Sequence, residues 1–297
     1  MSHILERSEY GTDMVVTSEW SSDDAECVDK GGVDRIVLNY ARGFRGDNLA
    51  FLSRLPIRRL LIIARWLGDL TPLSSLGSSL EDLNVEAAPG AVIDVSRLPG
   101  LLRLAASWKS IRDTVGALSG VRDIFLLEYA GTDLMPLSHL QQLRCIRMKQ
   151  HTRIRSLDGL DAFSRLERLD VFHGTRLIDI AALSVAPLGL THLALGTCRK
   201  IADVDPLSAC SALTYLELSE DGGIRSVLPL AGLSQLEKFI AHGDTRICDG
   251  DLSPLGVLPN LRVLAMASRR FYRPSVREIQ EHIAGRTRSD TQDEAVW

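Results

Sequence analysis

The sequence predicts an α/β repeat solenoid, a stack of short parallel strands that each lead into a short helical turn. Three observations predict it. Leu190, Leu193 and Leu195 of "LTHLAL" set a spacing of apolar positions 1, 4 and 6, and this six-residue pattern recurs eleven times at a period of 20–25 residues. The second half of a unit carries its own apolar ladder, as in Ile201, Val204, Leu207 and Cys210. Thr71-Pro72, Asp205-Pro206 and Ser253-Pro254 place a capping residue and then proline where a short helical turn would open. One such unit cannot bury its own leucines, so neighbours must stack into a continuous core.

Taken in order, residues 12–20 ("TDMVVTSEW") read as a strand. The following "SSDDAECVDKGG" reads as a short helix that begins at a Ser or Asp cap and ends at Gly31-Gly32. Residues 1–32 are therefore expected to cap the N-terminal end of the stack. Repeats then start at Val33, Ile57, Leu80, Leu101, Val121, Leu143, Leu166, Leu190, Leu213, Leu236 and Leu261, which assigns residues 33–273 to about eleven units. Strand side chains alternate, so positions 4 and 6 point into the core and positions 3, 5 and 7 point out. After Pro274, Val276, Ile279 and Ile283 share one helical face, which predicts a C-terminal cap helix over 274–285. Residues 286–297 ("RTRSDTQDEAVW") read as a flexible tail.

Composition narrows the function. A formal net charge of −4 and a pI near 6.0 do not suggest a nucleic-acid binder. No basic region followed by an apolar core opens the sequence, so no secretory signal is expected. The apolar run Leu60–Ala64 is hemmed in by Arg58, Arg59 and Arg65, far short of a membrane span. The five cysteines (Cys27, Cys145, Cys198, Cys210 and Cys248) have neither zinc-site nor disulfide spacing, and a reducing cytoplasm is the simplest home. A single copy in solution, with no cofactor and no metal, is the expectation.

The repeats resemble the leucine-rich repeat family, of the short bacterial kind that includes the internalin repeat region. The resemblance covers about residues 33–273. It implies a curved horseshoe with a parallel sheet on the concave face and short helical turns on the convex side. The family usually places Asn at position 9, where its side chain bonds backbone groups between coils. Here position 9 holds residues such as Arg65, Ala88, Tyr129, His151, Gly174, Cys198, Asp221 and Asp244. The turns after the strands are accordingly expected to be irregular.

No P-loop, GxSxG, HExxH, EF-hand or GxGxxG motif stands in a supporting context, so function is read from the concave face. Phe125, Leu127 and Phe172, with Trp108 and Tyr129 just beyond their strands, put large apolar groups where solvent is expected. Around them lie Arg147, Lys149, Asp170, His192 and Tyr215, with an Arg147–Asp170 ion pair foremost among the cross-strand contacts expected. Aromatic and arginine residues clustered on an exposed face are what a protein-binding hot spot requires. The expected function is therefore a non-enzymatic module that binds a protein or peptide on its concave face and acts by sequestering, by immunity or by regulation. The alternative is an enzyme, or an accessory to one, using Cys145 as nucleophile and His192 as base. Those two lie two strands apart, roughly 10 Å, too far for direct proton transfer. His151 and His173 lie near Tyr129 but lack a third metal ligand.

Overall fold

The computed structural model describes residues 2–185 and 187–293. They fall into two compact units, Met1–Glu128 and Tyr129–Trp297.

The first unit opens with a hairpin, β1 (His3–Ser8) and β2 (Gly11–Val16), followed by α1 (Ser22–Asp29). The helix starts at a capping box. Ser21 accepts from the Asp24 N–H while the Asp24 side chain accepts from the Ser21 N–H, satisfying two donors that a helix start leaves open. Strands β3 (Arg35–Asn39), β4 (Arg59–Ile63), β5 (Asp82–Glu86), β6 (Arg103–Ser107) and β7 (Asp123–Leu127) then add in sequence order, each parallel to the last, with β3 parallel to β2. A single helical turn, α2 (Trp108–Ile111), follows β6. The hairpin is one strand more than the sequence reading anticipated at this end.

The second unit adds β8 (Cys145–Lys149), β9 (Arg168–Phe172), β10 (His192–Gly196) and β11 (Tyr215–Ser219). A two-residue strand, β12 (Gly223–Ile224), precedes β13 (Lys238–Ala241) and pairs with β14 (Arg246–Ile247) away from the main sheet. After α3 (Ser253–Gly256) come β15 (Val263–Met266) and α4 (Val276–Asp293). The main sheet of this unit runs β8, β9, β10, β11, β13, β15, parallel throughout. Helix α4 starts at a second capping box, with Ser275 and Glu278 bonded reciprocally, and buries Val276, Ile279 and Ile283. It runs on to Asp293, past the 285 boundary of the expected cap. Of the expected tail, residues 294–297 lie outside the described residues.

Every strand from β3 onward in the main sheets begins two residues after a repeat start, so positions 4 and 6 point into the core, mostly as buried leucines, isoleucines and valines, with Ala106, Met148, Phe239 and Ala241 also buried there. The turns that follow are more regular than the position-9 residues suggest. Position 8 is left-handed in Gln150, His173, Thr197, Glu220 and Gly243, with φ of 57–70°. That conformation sends the chain sharply off the sheet, and the turning residue's N–H bonds the next coil, as His173 does to Gly196 O at 2.8 Å and Thr197 to Ser219 O at 2.8 Å. The helical turns are capped, but not by the residue before proline. An aspartate two residues ahead accepts instead: Asp69 from Thr71 N, Asp203 from Asp205 N and Asp251 from Ser253 N, all at 2.8–2.9 Å.

Candidate functional site

The outward face of the second unit is built from equal repeat positions in register. Position 3 gives Cys145, Arg168, His192, Tyr215 and Lys238 on consecutive strands, and position 5 gives Arg147, Asp170, Ala194 and Glu217. At the centre, β10 presents only Ala194 and Gly196 beyond His192. These small residues make a trough into which the neighbours from β9 lean. Asp170 sinks until 1% of it is exposed. Phe172 lies over Gly196, where an added Cβ would come within 2.7 Å of its ring.

A polar chain runs across this trough. Arg168 donates from Nε (2.9 Å) and Nη2 (2.7 Å) to Asp170 Oδ2 on its own strand. His192 Nε2 lies 3.3 Å from Asp170 Oδ1, within ion-pair reach for a protonated ring but off the line of a hydrogen bond, so Oδ1 is buried without an aligned donor. On its other side the His192 ring stacks on Tyr215, centroids 4.0 Å apart and planes 7° from parallel. The Tyr215 hydroxyl donates to Glu217 at 2.8 Å, and Lys238 Nζ lies 5.5 Å from the Tyr215 ring centre. Burial pushes the Asp170 carboxyl up, but His192 and Arg168 beside it outweigh that and hold it below its ordinary value. Burial, with Glu217 next to it, pushes the Tyr215 phenol up to about 12.

The structure sorts the residues singled out in the sequence. Arg147 and Lys149 are exposed on β8, and Phe172, His192 and Tyr215 are half-buried on β9, β10 and β11. Asp170 is the anchor of this face, paired with Arg168 on its own strand and lying 3.3 Å from His192 Nε2 on the next. Phe125 and Leu127 are half-buried on β7 of the first unit. Two expectations are corrected. Trp108 begins α2 and is 7% exposed, and Tyr129 is fully buried, so neither presents a surface to a partner. Tyr129 fills its position-9 slot because Gly131 leaves room for the ring, and its hydroxyl donates to Asp133 O at 2.8 Å. Cys145 is in register with Arg168, which separates it from His192 by a full strand. His151 and His173 are exposed turn residues, and among the described residues no group of three His, Cys, Asp or Glu side chains is placed to hold a metal.

One constellation in the first unit was not anticipated. Tyr10, at the tip of the β1–β2 hairpin, packs its ring against three guanidinium groups, those of Arg35 (4.3 Å), Arg103 (5.5 Å) and Arg59 (5.8 Å). Arg35 pairs with Asp13, and Arg103 Nε donates to Asp82 at 2.8 Å. The alternation Arg59, Asp82, Arg103, Asp123 along position 3 was visible in the sequence, but a hairpin folding a tyrosine over it was not.

Parallel strands in repeat register, left-handed turns after several of them, and short helical turns on the return give this chain the leucine-rich repeat solenoid fold. No protein-family model matches the chain. Among solved structures it is similar to the leucine-rich repeat protein LIC12759 of Leptospira interrogans, with a TM-score of 0.64 and 16% identity over 82% of this chain and 62% of that one. It is also similar to an internalin, InlF, of Listeria monocytogenes, with a TM-score of 0.55 and 16% identity over 87% of this chain and 83% of that one. At this identity the likeness is one of fold. In sequence it is 24% identical over 164 residues to a Roc-COR-CHAT protease of an unknown prokaryotic organism, a match that covers 52% of this chain and 14% of that protein. Among the described residues no helix is long and apolar enough to cross a membrane.

Proposed function

We propose that this chain is a non-enzymatic protein- or peptide-binding module whose partner lies on the outward face of the strands, and that it acts by sequestering or regulating that partner, as an immunity protein does. The observation that supports this most is the face of β8–β11. Phe172 and the stacked His192–Tyr215 pair offer aromatic surface beside exposed cations, with the buried Asp170 paired to Arg168 and close to His192 between them. Rigid aromatic groups next to arginine, preorganised by charge-assisted bonds, suit a binding hot spot. The same arrangement does not suit catalysis, because His192 is engaged by Asp170 and Tyr215 a full strand away from Cys145.

The matched stretch of the Roc-COR-CHAT protease is a small part of a protein named for its protease. Carried to this chain as part of the proposal, the repeats would recognise a target for chemistry done by other residues or other chains. None of the five cysteines forms a disulfide, which supports placing the chain, as a single copy, in a reducing cytoplasm as part of this proposal. The experiment is capture of the partner from the native host with the wild-type chain and with Phe125→Ala plus Phe172→Ala. A partner held by the first and lost by the second supports the reading, whereas equal capture by both removes it.

A further inference from the structure

The turns that follow β3 and β4 hold an aromatic corner that neither the core nor the strand face uses. Tyr40 stands at position 8 of its repeat and Trp66 at position 10 of the next. Their rings meet edge to face, with centroids 6.3 Å apart and planes at 70°. Tyr40 is 38% exposed and Trp66 45%. Trp66 is nonetheless held in one orientation. The fully buried Phe44 stacks with its ring, and the indole N–H donates to Gly46 O at 2.9 Å. Gly46 makes room for this, because an added Cβ would come within 2.7 Å of the Phe44 ring. A large aromatic ring that is fixed from below and left in solvent above is a preorganised contact surface, since its ordering entropy is lost before any partner arrives. The charges around it balance. Arg42 pairs with Glu6, Arg65 pairs with Glu86 at 3.0 Å, and Arg45 and Asp47, both exposed, add one charge of each sign. Arg45 Nη1 donates to the carbonyls of Tyr40 and Phe44 at 2.9 Å, which ties the turn together beneath the rings. The Tyr40 hydroxyl has no hydrogen-bond partner among the described residues.

We infer that this corner docks an extended, uncharged, proline-bearing segment of another protein. Three matches favour that occupant. Proline-rich segments dock on exposed aromatic side chains, and a pyrrolidine ring fits the angle between two rings that stand nearly perpendicular. The polyproline II backbone has no internal hydrogen bonds, so its carbonyls are open to a donor, which the Tyr40 hydroxyl supplies. A neutral surround suits a neutral segment, because a charged one finds Arg42 and Arg65 already balanced by Glu6 and Glu86. A sugar, the other neutral ligand of exposed rings, stacks flat on one face, and a second ring at 70° narrows that face. The corner lies on the turn side of the first unit, apart from the strand face of the proposed function, and neither reading depends on the other.

The test uses the full chain and two fluorescein-labelled dodecapeptides without charged side chains, one rich in proline and leucine and the other with each proline replaced by alanine. Fluorescence anisotropy reads the affinities, and maltohexaose is added as the sugar probe. The proline peptide is expected to bind at least ~10-fold tighter than the alanine version, with little change between 50 and 300 mM NaCl. Trp66→Ala should weaken that binding at least ~10-fold. Tyr40→Phe keeps the ring and removes only the hydroxyl, and should weaken it several-fold. Leu228→Ala, at an exposed apolar residue of the second unit, should leave it unchanged. Equal binding of the two peptides, no saturable binding of the proline peptide up to about 1 mM, or its displacement by maltohexaose each overturns the inference. Full binding by both Trp66→Ala and Tyr40→Phe overturns it as well. Trp66→Ala also removes a packed ring, so its melting curve is recorded alongside. If that variant does not fold, Tyr40→Phe decides, and full-strength binding by it overturns the inference.

Discussion

Asp221 Oδ1 accepts the backbone N–H of Cys198 at 2.6 Å from one repeat to the one before, while its Oδ2 is buried without a donor. This is the position-9 bond between coils, made by an acid. Burial pushes the carboxyl up to about 7, with Asp244, Glu217 and Glu220 adding to it.

The consequence is a pH-dependent stability whose sign follows from that shift. Below about pH 4 the carboxyl is protonated in both the folded and unfolded chain and carries no penalty. As pH rises from there to about 7, the unfolded chain releases the proton while the folded one keeps it, so stability falls by at most ~1.4 kcal/mol per pH unit from this group. Above pH 7 both are ionised and the loss is complete. Asp221→Asn should remove this slope and raise the melting temperature at pH 8. Melting curves of both proteins from pH 4 to 8 check it, and parallel slopes would show that Asp221 is not the group responsible.

A second prediction concerns Thr197, a β-branched residue held at φ 59°. Its repeat position is occupied by Gly243 two coils later, at φ 70°. Left-handed backbone is costly for a β-branched side chain and free for glycine, so Thr197→Gly should stabilise the protein by up to ~1 kcal/mol despite the added freedom of the unfolded chain. Destabilisation on chemical unfolding would show that the Thr197 side chain contributes more than the backbone strain costs.

The thiols offer a third. Cys248 is exposed, Cys27 and Cys145 are half-buried, and Cys198 and Cys210 are buried. Burial pushes the Cys210 thiol up to about 11 and the Cys198 thiol higher still, which keeps both protonated and unreactive. A thiol-reactive dye added to the native protein should label Cys248 first and Cys198 and Cys210 last, with five thiols counted after denaturation under non-reducing conditions. The order of labelling, read by mass spectrometry, is the check.

Much of the fold was legible because one physical rule repeats: a strand with Leu at positions 4 and 6 must stack to bury them, so each strand begins two residues after its repeat start. The candidate site was legible only in part, and the reason is the same rule. Register says which residues share a row, as Arg147 and Asp170 do, but not which way a side chain leans. Asp170 leans toward the trough above Ala194 and Gly196, where Arg168 and His192 reach it. Small residues also explain the misplaced aromatics. Tyr129 looked exposed because its position usually holds a polar group, yet Gly131 opens space for the whole ring. Nothing in the repeat period marks the division between Glu128 and Tyr129.

Asp170 itself gives a fourth prediction. A surface ion pair contributes ~1 kcal/mol or less, the expectation for an Arg147–Asp170 pair in solvent. With Asp170 buried beneath Arg168 and His192, Asp170→Ala should cost more, ~2–3 kcal/mol, because it leaves the Arg168 guanidinium without the buried carboxylate that it pairs with. Arg147→Ala should stay near ~1 kcal/mol or less. Urea unfolding of the two single variants ranks them, and equal small losses would mean that Asp170 behaves as a surface residue.

The last prediction weighs the aromatic groups as interface against the aromatic groups as structure. Phe172 lies half-buried over Gly196, and Phe125 is half-buried on β7. If they are contact residues, Phe125→Ala with Phe172→Ala should weaken partner binding by ~2 kcal/mol or more. Stability should change less than on truncating a core leucine, which for the fully buried Leu193→Ala costs ~2–5 kcal/mol. Gly196→Ala separates the two roles, because its methyl would push the Phe172 ring off the trough and keep the ring's apolar area. Binding that falls with Gly196→Ala as well as with the double variant means that the position of the ring is what the partner reads. A double variant that melts early yet binds its partner at full strength would make these rings part of the scaffold, and the interface would then have to be sought among the cations of β8 and β9.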